Sequence, residues 1–435
     1  MADRDRWGEI RLRAQESAAA VVDDERPAKI AIVGDFSGRG WQPNPKERTK
    51  PVAVDVDNFD AVLEWHQPEV DAAGIRLRFW SLDDFHPERL CENPDLFLDL
   101  ETEVTPGLAE NGDPPQAGGD FLDAILGQTE QREERMSAGG LAGFIEEITA
   151  PHRERRKGAD EIASEAAQNE AESKRLRQIL HHPAFEAIEG AWRGLDFALR
   201  EMDASAPVRL FLMDASRAEI VEGAGGLADR LRAGEWDAVV LLASFEEREV
   251  EALAEWAAMA RGARTVVLAG AGRSLETGSS ERWKEFRRRA EAGSVGLVSS
   301  TRMLLRLPYG NATSPVDGRE FEEMPEPPVA DLYTWGHGAW ATVALLGAGF
   351  SNYGWEFRLS GNGRIGGRPV HSFRKDGEAG FQACADRRLG DEEMDELLNA
   401  GLMPLTAAGR PDELWLARWQ SVAQPLKSFP DWKRA

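Results

Sequence analysis

The chain has 435 residues, with 76 acidic and 52 basic side chains and a formal charge of −24 at pH 7. A length near three times the ~150 residues of a common domain predicts two or three domains. The negative charge disfavours polyanions, so nucleic acid and anionic membranes are not expected as partners, and Arg287–Arg289 is the nearest candidate for a basic patch. The two cysteines, Cys91 and Cys384, are too far apart for a zinc motif or a disulfide scaffold. No apolar run reaches the ~20 residues that span a bilayer, so the sequence predicts a cytoplasmic protein without membrane insertion.

The first hundred residues show the pattern of a small α/β unit. Residues 29–35 are an apolar run that stops at a glycine, which is typical of a buried strand. After a loop over 41–50, Asp57 and Asn58 offer an N-cap to a short apolar-striped helix. Alternating residues over 75–80 predict a half-buried strand, and 81–87 predict a capped helical turn.

The rest of the chain alternates strands with helices. A Pro- and Gly-rich linker is predicted over 105–120, followed by helices to residue 180. The predicted strands are 208–212, 238–242, 265–268, 295–298 and 370–373, and the predicted helices include 247–261, 282–290 and 391–399. This alternation predicts a parallel or mixed α/β sheet.

Two glycine-rich segments could hold a nucleotide. Gly270-Ala271-Gly272 follows a strand, as a dinucleotide loop does, but lacks the third glycine. Residues 361–367 lack the Lys-Ser/Thr ending of a phosphate loop, and a turn is the favoured interpretation. An α/β nucleotide-binding or enzymatic protein stays open as the alternative function.

The polar motifs have structural explanations. His181 and His182 precede Pro183, and a helix start explains them better than a metal site, because adjacent helical residues point about 100° apart. Helix capping and favourable charge in the first helical turn explain Asp83 and Asp84, which precede His86. Neither a Gly-x-Ser-x-Gly elbow nor a His-Glu-x-x-His helix occurs. We therefore predict no catalytic residue, no cofactor and no metal.

Seven motifs carry a resemblance to a known family. Residues 32–38, 54–60 and 81–87 contain one set, with Asp35, Asp57, Phe59, Asp84, Phe85 and Pro87. Later motifs contain the second set, with His182, Pro183, Trp192, Arg306, Pro308, Tyr309, Trp335 and Trp340. The first set resembles the small subunit, and the second the large subunit, of the contractile sheath of bacterial type VI secretion systems. As core and interface positions, these residues are expected to be structural; Pro308 and Tyr309 fit a turn, and Trp335 and Trp340 fit helix packing.

The resemblance implies an α/β fold with mixed sheets, in which a sheath-like heterodimer is folded within one chain. We predict a small-subunit-like domain over 1–104, a linker over 105–120, a helical segment over 121–180 and a large-subunit-like domain over 181–435. The last lacks the usual C-terminal extension of the family. Residues 29–100 are expected to pack against the rest of the chain.

The family also implies a function and partners. Its two subunits polymerise into a tube around a secreted inner tube, and contraction drives that inner tube outward. The implied partners are sheath subunits or the chain itself, with the disassembly AAA+ ATPase and inner-tube or baseplate proteins as further ones. Phe121, Leu122, Ile125 and Leu126 resemble the helix that the ATPase engages, although this helix could also dock on its own domain. The chain is expected to act as a sheath polymer unit or as an accessory cap or nucleator.

Overall fold

The computed structural model describes residues 26–41, 50–98, 159–203, 205–222, 224–232, 234–375, 377–407 and 409–430. The predicted linker, the predicted ATPase-binding residues Phe121–Leu126 and most of the loop over 41–50 lie outside them. The chain forms two compact units, residues 1–96 with 175–435, and residues 97–174. Of the second unit, the structure describes residues 97–98 and the part of helix Ala159–Leu180 that ends at residue 174.

The strands are β1 (Ala28–Gly34), β2 (Val52–Val54), β3 (Glu69–Ala72), β4 (Ile75–Arg78), β5 (Val208–Asp214), β6 (Ala238–Phe245), β7 (Val266–Ala271), β8 (Val295–Val298), β9 (Met303–Leu304), β10 (Trp335–Gly336), β11 (Gly363–Ile365), β12 (His371–Lys375), β13 (Glu378–Gln382), β14 (Leu405–Ala407) and β15 (Leu414–Leu416). The helices are α1 (Phe59–His66), α2 (Pro87–Leu90), α3 (Ala159–Leu180), α4 (Pro183–Arg200), α5 (Arg217–Val221), α6 (Ala224–Arg232), α7 (Val250–Ala263), α8 (Arg273–Glu276), α9 (Glu281–Arg288), α10 (Ala339–Tyr353) and α11 (Asp391–Asn399).

A six-stranded sheet in the order β2-β5-β1-β6-β7-β8 forms the centre of the larger unit. The first strand of the chain lies inside it: β1 pairs in parallel with β5 from Ala28–Val208 to Gly34–Asp214, and with β6 from Ile30–Ala238 to Val33–Leu241. Only β2, at the edge, is antiparallel to its neighbour. A strand covered on both faces must be apolar throughout, and in β1 every residue except Lys29 is buried.

Helices cover the two faces of this sheet. Ala31 and Val33 join the buried cluster that includes Ile220 of α5, Leu253 of α7 and Phe286 of α9. Successive strand residues point to opposite faces, so Ile30 and Ile32 face the other side. There α10 contacts β5, β6 and β7, and α4 packs against α10. The sheet is therefore the middle layer of an α/β/α sandwich, and both of its faces are cores.

The structure confirms the predicted strands of the central sheet and the helix over 391–399, which has the predicted bounds. Helix α1 begins at Phe59, as predicted, but the predicted side-chain N-cap is not formed. The Asn58 side chain makes no capping bond to the helix. Its oxygen instead accepts the main-chain N–H of Asp55 at 2.9 Å, which closes the preceding turn.

Smaller sheets surround the central one: the hairpins β3–β4 and β12–β13, the pair β9–β10 and the sheet β11-β15-β14. Trp335 lies on β10 opposite Leu304, and β10 contacts α4. Trp340 lies on a helix, α10. Residues 361–367 were expected to form a turn. The backbone turns only at the two ends of this segment, where Gly361 and Gly367 have φ of +73° and +68°. Between them, β11 pairs with β15.

Residues 26–96 do not fold apart from the rest. β1 and β2 come from the segment predicted as a small-subunit-like domain, whereas β5 to β8 come from the segment predicted as a large-subunit-like domain. The described parts of both segments share one sheet and lie in one compact unit. The expected packing of this N-terminal segment against the later part of the chain is therefore confirmed.

Shortening Ile32 should destabilise the whole larger unit, because this side chain is fully buried in the central strand. We expect Ile32→Ala to lower the free energy of unfolding by about 2–5 kcal/mol, measured by urea denaturation followed by circular dichroism. Val56→Ala, at a position 62% exposed, is the control and should change it by less than about 0.5 kcal/mol. Equal effects of the two substitutions would contradict a central role for β1.

Candidate functional site

The main candidate site is the set of contacts, here called the joint, between residues 26–96 and residues 175–430. It begins at the turn after β1, which two carboxylates hold. Asp214, at the end of β5, accepts the main-chain N–H groups of Phe36 at 2.8 Å and Ser37 at 3.1 Å. Asp35 accepts those of Arg39 and Gly40, both at 2.7 Å. Burial raises the pKa of both carboxyls, and that of Asp35 reaches about 6.

An aromatic cluster continues the joint. The indole of Trp192, on α4, donates to the carbonyl oxygen of Phe36 at 3.0 Å, and its ring meets those of Phe36 and Phe59 edge-on. Trp340, on α10, lies 6.4 Å from the Phe36 ring centre. Gly194 is required beside it, since a Cβ there would lie 2.1 Å from the Trp340 indole nitrogen. Motif residues of both sets, far apart in sequence, therefore form one cluster.

A second aromatic contact lies at the turn before α2. The rings of Phe79 and Phe85 stack with centres 4.1 Å apart, and Phe185 of α4 meets Phe85 edge-on at 5.7 Å. Asp84 fixes this turn, because its carboxylate accepts the main-chain N–H groups of Trp80 and Ser81 at 2.6 and 2.8 Å. Pro87 then begins α2. Asp84 and Pro87 thus set the backbone that carries Phe85 into the joint.

A buried charge network within residues 175–430 supports the joint. Arg306 contacts Glu189 at 2.7 Å and Glu323 at 2.7 Å, and both carboxylates are almost fully buried. Burial alone would raise the pKa of Glu189, but the charges of Arg306 and Arg193 outweigh it and lower that pKa. The pKa of Arg306 is raised by the same two glutamates against the effect of burial. Glu189 and Arg306 therefore stay charged at neutral pH.

Tyr309 connects this network to the N-terminal segment. The guanidinium of Arg306 lies 4.0 Å from its ring centre, and its hydroxyl lies 3.5 Å from the carbonyl oxygen of Phe85. The ring of His86 meets it edge-on at 4.7 Å. Pro308 is buried beside it, in the turn that Thr313 closes by donating to the Pro308 carbonyl oxygen.

Glu189 was missed as a site residue by the sequence analysis. A signal was present, because it follows Phe185 by four residues and precedes Trp192 by three. It therefore lies on the apolar stripe of α4, where burying an unpaired carboxylate would destabilise the folded protein. A glutamate on a buried stripe predicts a buried cationic partner, although not which one.

The remaining motif residues have local roles. His182 is the N-cap of α4, where its Nδ1 accepts the main-chain N–H of Ala184 at 3.3 Å and Pro183 takes the first helical position. Asp57 is exposed, and its main-chain N–H donates to Asp55 in the turn before α1. Trp335 is half-buried beneath the guanidinium of Arg302, which lies 5.4 Å from its ring centre. Neither Asp57 nor Trp335 belongs to the joint.

A cavity of about 890 Å³ opens where the parallel strands end, and it contains a Ser–His pair. The Oγ of Ser244 and the Nε2 of His337 lie 3.0 Å apart. The Nδ1 of His337 accepts the main-chain N–H of Ala339 at 3.2 Å, so the ring proton is on Nε2 and is donated to Ser244. In this tautomer the imidazole cannot take the serine proton, which argues against a nucleophilic pair. Burial lowers the pKa of His337 to about 4, so the ring is neutral.

The protein's own carboxylate occupies the turn at Gly270-Ala271-Gly272. Glu246 accepts the main-chain N–H of Ser274 at 3.1 Å, in the first turn of α8, where a dinucleotide phosphate would bind. A Cβ on Gly272 would lie 2.2 Å from the Glu246 carboxyl carbon. The close approach of the Glu246 side chain thus explains why residue 272 is a glycine, and this explanation needs no ligand.

The other ligand classes find no support in the part of the chain that the structure describes. There, no group of three or more His, Cys, Asp or Glu side chains is placed to hold a metal ion, and no helix is long and apolar enough to cross a membrane. Arg287 is buried and donates to the carbonyl oxygens of Val422 and Asn399. Arg289 lies 3.5 Å from Glu251. The candidate basic patch at 287–289 is therefore not a continuous basic surface.

Comparisons with known proteins match the two segments that form the joint to two family models. The VipB family model, described as EvpB/VC_A0108, tail sheath N-terminal domain, matches residues 166–236 and 269–423. The model described as Type VI secretion system, VipA, VC_A0107 or Hcp2 matches residues 10–100. These matches and the fold define a contractile tail sheath protein. Because the first match covers more than half of the sequence, the chain belongs to the VipB tail sheath family, and it carries a VipA-like part in the same polypeptide.

One relative allows a closer comparison. The type VI secretion system sheath protein TssC1 of Pseudomonas aeruginosa is 24% identical over 296 residues, which cover 57% of this chain and 58% of the relative. The chain thus spans less than two thirds of the length of that protein.

Removing Arg306 should be strongly destabilising, because it leaves Glu189 and Glu323 buried without a counter-charge. We expect Arg306→Met to cost about 3–5 kcal/mol in chemical denaturation, and Glu189→Gln with Glu323→Gln in the same chain to restore part of it. Arg302→Met is the control; this arginine pairs with Asp386 but its side chain is 45% exposed, so about 0–1 kcal/mol is expected. Equal losses for Arg306→Met and Arg302→Met would contradict the importance of the buried network.

Proposed function

We propose that the chain is a non-enzymatic structural unit of a type VI contractile sheath, with its small- and large-subunit parts joined in one polypeptide. The observation that carries the proposal is the position of β1, a strand from the VipA-like part. It pairs with β5, within the residues that the VipB model matches, and with β6, which lies between the two matched ranges. The tautomer of His337 also supports a structural role, because its contact with Ser244 is not a competent catalytic pair.

The domain boundaries belong to this proposal. We assign residues 1–104 to the small-subunit-like part, 105–120 to a linker, 121–180 to a helical segment and 181–435 to the large-subunit-like part. Joining the parts raises their effective concentration to roughly the mM range and fixes a one-to-one ratio. This gives a physical reason for fusing two subunits that interlock through a shared sheet.

Sheath assembly suggests further partners and a location. We propose that the chain assembles with itself or with other sheath subunits in the cytoplasm, and that it meets inner-tube or baseplate proteins there. Interfaces of packed contacts can switch between discrete arrangements, which is the physical basis for storing energy in such an assembly. The chain could serve as a repeating unit, or as a cap or nucleator at one end of the tube.

Electron microscopy tests the structural role directly. We expect negatively stained, purified full-length protein to form assemblies, alone or after mixing with type VI sheath subunits. Long tubes from the protein alone would identify a repeating unit, and discrete particles bound at tube ends would identify a cap or nucleator. A monomer that associates with neither itself nor sheath subunits would overturn the proposal.

We also propose that Phe121, Leu122, Ile125 and Leu126 bind the disassembly AAA+ ATPase, as an amphipathic helix offering apolar anchors to a groove. Leu122→Asp should abolish capture of the ATPase in a pull-down and leave the melting temperature unchanged, because a charge replaces an apolar anchor. Leu98→Asp, at a residue 53% exposed outside the proposed helix, is the matched control and should retain capture. Loss of capture together with thermal stability would instead place Leu122 in a core.

A further inference from the structure

The hairpin formed by β12 and β13 has two open edges. Its strands pair only with each other, from His371–Gln382 at the base to Lys375–Glu378 at the closed end. In the part of the chain that the structure describes, no main-chain group of residues 371–382 forms a hydrogen bond with the main chain outside the hairpin. An unpaired strand edge is a template for another strand, and natural proteins usually block such edges.

The register of the hairpin determines which groups of β13 point away from β12. Two residues separate the strands, so the closing pair Lys375–Glu378 is hydrogen-bonded, and every second pair after it is bonded as well. The even-numbered residues of β13 therefore bond to β12. The N–H and C=O groups of Ala379 and Phe381 point outward, so the open edge of β13 offers two donors and two acceptors.

One face of the hairpin is also uncovered. Because successive strand residues point to opposite faces, one face carries four side chains that are all exposed, those of Ser372, Arg374, Ala379 and Phe381. Phe381 is the large apolar member of this face and is 49% exposed. The other face is partly covered, since the Tyr333 hydroxyl lies 2.8 Å from the Nδ1 of His371. The open edge of β13 thus lies beside an exposed phenylalanine.

We propose that β13 pairs with β13 of a second copy of this chain, antiparallel and centred on Gly380, to give a two-fold dimer with a four-stranded sheet. In this register Ala379 lies opposite Phe381 of the second copy. Each outward N–H and C=O group then finds a partner, because a hydrogen-bonded antiparallel pair exchanges both of its bonds. The two Phe381 residues lie diagonally across the two-fold axis, about 7–8 Å apart, so their rings cover each other.

The charges of the hairpin favour this pairing over one at the edge of β12. Across the β13 edge, Glu378 lies opposite the neutral Gln382 of the second copy, so no like charges meet. An equivalent pairing of two β12 strands would bring their Arg374 side chains within about 7–8 Å of each other, and Lys375 adds a second cation to that edge. Like charges oppose self-pairing at β12, whereas β13 is complementary to itself.

The dimer goes beyond the proposed structural role. Its contact uses residues 378–382 and lies outside the joint, so weakening it leaves the joint intact. A two-fold contact is closed and does not extend into a tube. Tube formation and β13 pairing are therefore separate properties of the chain, and each can fail without the other.

Sedimentation velocity on the full-length protein tests for the dimer. Between about 1 and about 100 μM we expect the 48.0 kDa monomer to be replaced by a dimer. Ala379→Pro should raise the dissociation constant at least about tenfold, because it removes an outward N–H from each copy, and the hairpin tolerates proline where the N–H faces solvent. Ser372→Pro, the same change on the outward edge of β12, is the matched control and should leave the constant unchanged. A protein that stays monomeric throughout, or equal effects of the two prolines, would overturn the proposal.

Disulfide trapping tests the register, whatever larger assemblies are present. A mixture of Glu378→Cys and Gln382→Cys chains should form a cross-linked dimer under mild oxidation, because directly opposite positions have the Cβ separation that a disulfide needs. Each variant alone keeps Cys91 and Cys384 and is the control, and it should not cross-link. Cross-linking that is no greater in the mixture than in the separate variants would contradict β13 pairing.

Discussion

An interior strand of a parallel sheet must find hydrogen-bonding partners on both edges, and in this protein that strand is β1. It is contributed by the N-terminal segment, whereas both neighbours come from beyond residue 200. Removing it would leave β5 and β6 with unpaired main-chain groups at the centre of two hydrophobic cores. The VipA-like and VipB-like parts consequently share one sheet and its two cores, and are not two domains in contact.

The contacts beyond the sheet depend on this strand. The carboxylates of Asp35 and Asp214 can share one turn because β1 and β5 end side by side, and the turn then presents Phe36 to Trp192. The buried Arg306 network holds α4 about one turn before Trp192, through Glu189. Buried ion pairs add little net stability over apolar packing, but they penalise misplaced partners severely. Any packing of α4 that separated Glu189 from Arg306 would therefore leave buried charges without a partner.

The sequence predicted best those helices and strands whose apolar pattern lies within one continuous segment. The apolar runs of β1 and β5 to β8 and the stripe of α11 are local signals, and they predicted these elements close to their observed bounds. Resemblance identified residues such as Phe59, Phe85, Trp192 and Tyr309, but not what each one contacts. Those contacts join residues more than a hundred positions apart, as between Trp192 and Phe36. The strand that holds Trp335 was not predicted, because two residues show no periodic pattern and the pairing with β9 is a tertiary contact.

The central position of β1 has a consequence for synthesis on the ribosome. Its partners in β5 begin 180 residues later, since Ala28 pairs with Val208, and those in β6 later still. At roughly 5–20 residues per second, the strand emerges about 10–40 s before it can pair. During that interval the segment Ile30-Ala31-Ile32-Val33 is a short apolar strand with two open edges, the feature that most favours aggregation. The first strand of such a nascent chain therefore stays exposed to aggregation until the second half of the chain has been translated.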